Sequence, residues 1–312
     1  MSFLYFLEGI RNPVLDFLFS VITLCGDETV FMAVGLIFFW CVSKSQGYYL
    51  LCTGFIGTVI NQFLKIVCQV PRPWVKDPQF TIVESAREAA SGYSFPSGHT
   101  QTSISLFGGV ARANKHTALR IVSIAFCVLV PLSRMYLGVH TPMDVLVSTL
   151  IALVLVFAAY PLFMKATGSP KLMYCILFAL TVIMAAYLVF ISCYQFPASV
   201  YAEENIENLI SARKNGFTLM GCMLGFLAVY TADIKLTKFE TSAVWWVQII
   251  KVVGGLGAVL ATKELLKIPL DIIMPAAENS WARLIRYFMV AVVGGVLWPM
   301  TFKLFNKLSK NK

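Results

Sequence analysis

Apolar residues run along most of this chain in stretches of 16 to 24 positions, broken by short polar clusters. An α-helix needs about 20 consecutive apolar residues to cross a bilayer. Helices and closed barrels are the structures that satisfy their own backbone hydrogen bonds there. The pattern predicts an all-α, polytopic transmembrane helical bundle with spans at 28–43, 47–68, 97–112, 118–136, 141–164, 172–194, 216–233, 243–263 and 284–304. Residues 3–24 differ. They mix Phe and Leu with Glu8, Arg11, Pro13 and Asp16, an amphipathic pattern expected along the membrane surface, with a true first span as the alternative. The polar stretch 200–215 (Tyr201, Glu203, Glu204, Glu207, Arg213, Lys214) reads as a short surface helix.

Composition agrees. The 312 residues are 58% hydrophobic and 13% charged, with mean hydropathy +0.75, against about 25% charged in a soluble domain. A net charge of +9 raises the question of nucleic acid. The charges lie in short clusters between apolar runs rather than on one face, so no nucleic-acid partner is expected. The eight cysteines show no CxxC spacing and fall mostly within apolar runs, so they read as small buried residues and not as a zinc or redox site. The N-terminus lacks the basic, apolar and small-residue order of a cleaved signal and is expected to be retained.

Loop charge adds an orientation. Alternate loops carry Lys44; Arg112, Lys115 and Arg120; Lys165 and Lys171; Lys235 and Lys238; and Lys303, Lys307, Lys310 and Lys312, with Asp233 and Glu240 as their acids. The other set holds nearly all remaining acids, among them Asp27, Glu28, Asp77, Glu84, Glu88, Glu207, Glu264, Asp271 and Glu278. Basic loops are cytoplasmic. The opposite, extracytoplasmic face then receives the long 69–95 loop and three polar stretches at span ends.

Those stretches carry the candidate chemistry. In Pro96-Ser97-Gly98-His99, Ser97 is a natural N-cap. The turn is either a plain helix start or an anion site with a positive dipole end and a glycine that lets an anion approach. In His140-Thr141-Pro142-Met143-Asp144, Thr141 and Asp144 fit a capping box with Pro at the first helical position. The same geometry lets Asp144 accept the Nδ1–H of His140 and leave Nε2 free as a nucleophile; the two readings are compatible. Lys65 near a span end either snorkels or, with Arg72 between two prolines and Arg134 beside Ser133, forms a cationic set suited to a dianionic tetrahedral group. His116 sits in a basic loop and reads as solvated.

Together the stretches resemble the tripartite signature of the type 2 phosphatidic acid phosphatase (PAP2) superfamily. It reads Lys, six residues, Arg-Pro; Pro-Ser-Gly-His; then Ser-Arg, five residues, His, three residues, Asp. Lys65 to Arg72-Pro73, Pro96 to His99, and Ser133-Arg134 with His140 and Asp144 match every fixed position. The resemblance covers roughly residues 10–160. It implies a PAP2-type catalytic transmembrane core at 27–166, after an interfacial segment at 1–26 and before additional C-terminal transmembrane helices at 167–312. It implies His140 as a nucleophile forming a phosphohistidine, Asp144 as its orienting carboxylate, and His99 as the acid and then base. Lys65, Arg72, Ser97, Gly98 and Arg134 would hold the phosphate, with no metal and no cofactor. Soluble relatives such as vanadium haloperoxidases share the motif, and the apolar spans argue against that branch.

The expected function is an integral-membrane lipid phosphate phosphatase acting on a phosphomonoester or the terminal phosphate of a diphosphate. Its partners are the lipid phosphate substrate and membrane lipids. Its place is the bacterial inner membrane, with the site on the extracytoplasmic face. A lipid phosphotransferase, a phosphatase for a small soluble phosphate, and a non-catalytic transporter or scaffold are the alternatives. Phosphatidate, phosphatidylglycerol phosphate, undecaprenyl diphosphate and sphingoid phosphates would use the same core. The C-terminal spans carry no motif; extending the bundle, shaping a lipid path and forming an oligomer contact are all open to them.

Overall fold

The computed structural model describes residues 1–90, 92–195, 202–274 and 280–310. Among these the regular structure is helical throughout, with no β-strand. In order come α1 (Ser2–Gly9), α2 (Pro13–Leu24), α3 (Glu28–Ile37, continued by a π-turn at Phe38–Val42), α4 (Lys44–Cys68) and the short α5 (Pro73–Lys76). Then α6 (Gly98–Ser103) runs through a π-turn at Ile104–Gly108 into α7 (Gly109–Ala113). There follow α8 (Thr117–Tyr136), α9 (Pro142–Ala166), α10 (Pro170–Cys193), α11 (Ala202–Ala232), α12 (Trp245–Leu265), α13 (Lys267–Ile273), α14 (Ser280–Val292) and α15 (Trp298–Lys310).

Among the described residues six helical segments are long and apolar enough to cross a membrane: Lys44–Lys76, Thr117–Tyr136, Pro142–Ala166, Pro170–Cys193, Ile206–Thr237 and Trp281–Phe305. The bent pair Pro13–Leu24 and Glu28–Val42, at 49°, makes a seventh if it is one broken span. Of the nine predicted spans, 28–43 enters only through that bent pair, and two others do not qualify. The run from Gly98 to Ala113 is 16 residues, only about 24 Å of helix against a hydrocarbon core of about 30 Å. The helix Trp245–Leu265 is long enough, but it carries Gln248, three glycines and the fully buried Lys251. The expected short surface helix at 200–215 is instead the first turns of the 31-residue α11. Nothing breaks the helix between the polar turns and the apolar ones, and Arg213 donates to the carbonyls of Ile191 and Ser192 at the end of α10. Tyr201 and Glu278 lie outside the described residues.

The chain folds as two compact units, Met1–Gly35 with Tyr49–Leu162, and Leu36–Tyr48 with Phe163–Lys312. In the first, the N-terminal segment packs onto the end of α8: Arg11 donates to the Tyr136 and Thr81 carbonyls, and the Tyr136 hydroxyl donates to Asp16. The outward face of α2 (Val14, Phe17, Leu18, Val21, Leu24) is apolar and exposed, as a lipid-facing stripe is. In the second unit, the 36–48 hairpin supplies a fully buried Trp40, whose indole donates to the Gly294 carbonyl at 2.8 Å. Lys44 pairs with Asp233 at 2.8 Å and lies over the Phe239 ring. Lys251 donates to the carbonyls of Glu240 and Thr241, so its buried charge is compensated.

Candidate active site

All eight sequence-nominated residues lie in the first unit. The apolar run of α4 carries Lys65 to its last turn, where the side chain is 9% exposed and its ammonium donates to the Tyr93 carbonyl. Gln69 takes a left-handed conformation (φ 50°), and Pro71 and Pro73 prevent the helix from resuming until α5. Arg72, caught between them in extended backbone, is buried. Its Nε donates to the Gly92 carbonyl at 2.8 Å, and its Nη1 donates to the Val139 carbonyl at 2.9 Å and to His140 Nε2 at 3.0 Å.

Arg134 closes α8 with no solvent exposure. One nitrogen, Nη1, donates to Thr23 Oγ1 at 2.8 Å. The other two, Nε and Nη2, are buried with no hydrogen-bond partner in the protein. Ser133 returns its hydroxyl to the Val130 carbonyl at 2.6 Å and so is committed to its own helix. The turn after α8 needs Gly138: its φ is +81°, and a Cβ there would lie 2.7 Å from Arg11 Nη2. This turn delivers His140, 2% exposed, to the start of α9.

At that start the capping box forms. Asp144 Oδ2 accepts from the Thr141 amide at 2.7 Å, and Thr141 Oγ1 accepts from the Asp144 amide at 3.3 Å. The same Oδ2 accepts from Ser94 Oγ at 2.6 Å and stands 3.5 Å from His140 Nδ1. That last distance is an ion-pair separation, longer than a hydrogen bond. Ser97 caps α6 through Thr100 N at 3.4 Å, and its own amide donates to the Asp144 carbonyl at 3.2 Å, which ties the two helix starts together. A Cβ on Gly98 would meet nothing nearer than Asn61 Oδ1 at 3.9 Å, so that backbone is approachable. His99, half-buried, follows it.

The electrostatics assign a proton. Burial first, and then the positive charge of Arg72, Arg134 and Lys65 with His99 nearby, hold the His140 imidazole well below its usual value. It is therefore neutral near pH 7. Guanidinium has no acceptor, so the contact with Arg72 makes Nε2 the unprotonated nitrogen. The single proton lies on Nδ1, toward Asp144. The expected free Nε2 is in fact covered by Arg72 Nη1 at 3.0 Å.

Sequence reasoning missed Ser94, Thr23 and the carbonyls of Gly92, Tyr93 and Val139. A lone serine in a loop, or a threonine in an amphipathic helix, carries no spacing signal. Ser94 has no solvent exposure and holds the carboxylate that faces His140. Ser94→Ala is expected to lower kcat roughly 10- to 100-fold, the worth of one hydrogen bond to a charged group, with little change in KM. Steady-state phosphate release checks this, and an unchanged kcat would remove Ser94 from the site.

Comparison with known proteins agrees with this geometry. The PAP2 superfamily profile matches residues 45–168, and the profile described as PAP2 superfamily phosphatase, transmembrane extension, matches residues 217–311. The undecaprenyl-diphosphatase BcrC of Bacillus subtilis is 31% identical over 151 residues, covering 47% of this chain and 74% of that protein. A probable sphingosine-1-phosphate phosphatase of Dictyostelium discoideum is 27% identical, covering 49% of this chain and 39% of its own length. The mouse sphingosine-1-phosphate phosphatase 2 is 26% identical, covering 62% of this chain and 53% of its own length. No solved structure matches the chain at a significant level. With the three stretches gathered around one buried histidine and both profiles matched, the chain belongs to the PAP2 superfamily of membrane phosphatases.

Proposed function

We propose that this membrane lipid phosphate phosphatase transfers the phosphoryl group of its substrate to His140 Nε2 and then to water. In the first step the Nε2–P bond forms, the bond from phosphorus to the leaving oxygen breaks, and His99, protonated once the bound dianion offsets the three cations, gives that oxygen a proton. In the second step the oxygen of water bonds to phosphorus, Nε2–P breaks, and His99 takes the water's proton. Phosphoryl transfer needs alignment and charge neutralisation more than elaborate covalent chemistry. Lys65, Arg72 and Arg134 supply the charge, with Ser97 and Gly98 at the α6 start.

The observation that carries this reading is Arg134. A buried guanidinium with Nε and Nη2 both unpartnered is costly, and a phosphate taken bidentately satisfies both nitrogens at once. The neighbouring nucleophile has its tautomer already set. The substrate is a phosphomonoester or the terminal phosphate of a diphosphate on a lipid, in keeping with the names of the relatives. The acid-rich 69–95 loop that carries Arg72 favours the extracytoplasmic face for the site, and the membrane in this reading is a bacterial inner membrane.

The test is phosphate release from the purified protein over phosphatidate, phosphatidylglycerol phosphate, undecaprenyl diphosphate and sphingosine 1-phosphate, with and without excess EDTA. Among the described residues no three His, Cys, Asp or Glu side chains are grouped as metal ligands, and three cations already face the site. Turnover on at least one lipid is therefore expected to survive EDTA essentially intact. Loss of turnover that magnesium restores would count against the mechanism, and release from none of the lipids would count against the substrate class.

A further inference from the structure

Beneath the cationic cradle, α4 and α6 carry a second polar feature that the motif does not include. Along α4, Thr53, Gly57, Asn61 and Lys65 recur every four residues; along the facing run, Ser97, Gln101 and Ser105 do the same. Four-residue spacing puts each set on one helix face. The two faces meet in antiparallel register. A Cβ on Gly98 would lie 3.9 Å from Asn61 Oδ1, and one on Gly57 would lie 2.4 Å from Gln101 Nε2. Gly57 is thus the space that the Gln101 amide occupies. Below this, a Cβ on Gly109 would lie 2.6 Å from Leu50 Cδ2 and 3.5 Å from Tyr49 Cε1.

The seam is dry by exposure and incomplete by hydrogen bonding. Thr53, Asn61, Gln101 and Ser105 are each at most 3% exposed. Gln101 Nε2 donates to Ser105 Oγ at 3.2 Å. Yet Thr53 Oγ1, Asn61 Nδ2, Thr100 Oγ1 and Gln101 Oε1 are buried without a partner. Buried polar atoms are almost always satisfied, and ordered water is a common partner of those that the protein leaves over. The chemistry of the four selects water: Asn61 Nδ2 can only donate, Gln101 Oε1 can only accept, and the hydroxyls do both. An acyl chain satisfies none of them. The seam is closed at its lower end, where Leu50 and Leu106 are fully buried and the Tyr49 hydroxyl is spent on the Val156 carbonyl. Its upper end carries Lys65 and Gly98, so a water-holding seam here would be a blind well under the phosphate site and not a route across the protein.

We propose that this well holds ordered water between α4 and α6, and that it supplies the molecule that hydrolyses the phosphoryl-enzyme. A lipid substrate brings hydrocarbon up to the cradle, and a reserve held behind polar side chains is not displaced by it. Water from the well would meet the Nε2–P bond, give its proton to His99 and leave as part of inorganic phosphate. The role in hydrolysis rests on the phosphohistidine reading above; the water site itself does not.

The test uses the full-length protein with Asn61→Leu and Gln101→Met, which keep bulk and remove hydrogen bonding, and Asn61→Ser, which keeps a polar group and room for water. Rapid quench with a ³²P-labelled lipid phosphate should show the phosphoenzyme forming at the wild-type rate in all three. Its breakdown should slow about tenfold in the first two, the worth of a lost water-mediated contact, and stay near wild type in Asn61→Ser. Methanol should capture a larger share of the phosphoryl group in the two apolar variants. Wild-type breakdown in both apolar variants, or equal slowing of formation and breakdown, overturns the proposal. X-ray hydroxyl-radical footprinting reads the water directly. Labelling of the 53–61 and 100–105 segments in wild type, lost in Asn61→Leu and Gln101→Met, is expected, and no labelling in wild type overturns the well. If wild type forms no phosphoenzyme but the segments are labelled, the mechanism falls and the water site stands.

Discussion

Replacing His140 with alanine is expected to lower lipid phosphate release by at least about 10³-fold, the scale on which removal of a nucleophile acts. Its imidazole is the single group that can form the covalent bond in the proposed mechanism, and the site is built to keep it neutral and unprotonated at Nε2. The loss should appear in kcat. Substrate affinity should persist, because Lys65, Arg72 and Arg134 remain. Arg72 keeps the Val139 and Gly92 carbonyls as partners, so the fold should tolerate the change. Phosphate release and the ³²P label retained after quench read the two aspects separately, with thermal unfolding in detergent as the control. A folded His140→Ala protein that releases phosphate at the wild-type rate would falsify the nucleophile assignment.

Asp144→Asn is expected to lower kcat by about 10²- to 10⁴-fold, the range in which loss of a buried carboxylate beside a catalytic histidine falls. The amide oxygen can still accept from the Thr141 N–H, so the helix start should survive. What is lost is the negative charge 3.5 Å from His140 Nδ1. Without it, positive charge developing on the ring during attack faces three cations uncompensated. The Ser94 hydroxyl also loses its charged acceptor. The diagnostic is the division of the effect: phosphoenzyme formation should slow with KM nearly unchanged, and thermal stability should fall little. If KM rises while kcat holds, Asp144 serves the helix cap and the loop alone.

How much of this was legible beforehand depended on which forces set each feature. The all-helical membrane fold followed from the apolar run lengths, because a bilayer leaves the backbone little choice. The six helices that qualify as spans each coincide with a predicted run. The continuation of α11 into its polar turns was not legible, since composition alone does not locate where a helix stops. The capping box at Thr141 and Asp144 and the Ser97 cap were readable because they are local, set by residues three apart.

Lys65, Arg72, His99, Arg134, His140 and Asp144 could be named from residue type and spacing, and so could the class of anion they suit. The chain order says nothing of Arg72 covering Nε2, of Thr23 and Ser94 bracing Arg134 and Asp144 across 111 and 50 residues, or of Asn61 meeting Gly98. Those relations arise where α2, α4, α6, α8 and α9 come together, and hydrogen bonds are short-ranged and directional. Sequence by itself determined which groups were available and that they belonged to a membrane bundle. Tertiary structure alone decided which nitrogen carries the proton, which donors of Arg134 stay unpaired, and where a polar seam lies beneath them. The first is a matter of composition and period; the second depends on distances of a few ångström that only packing sets.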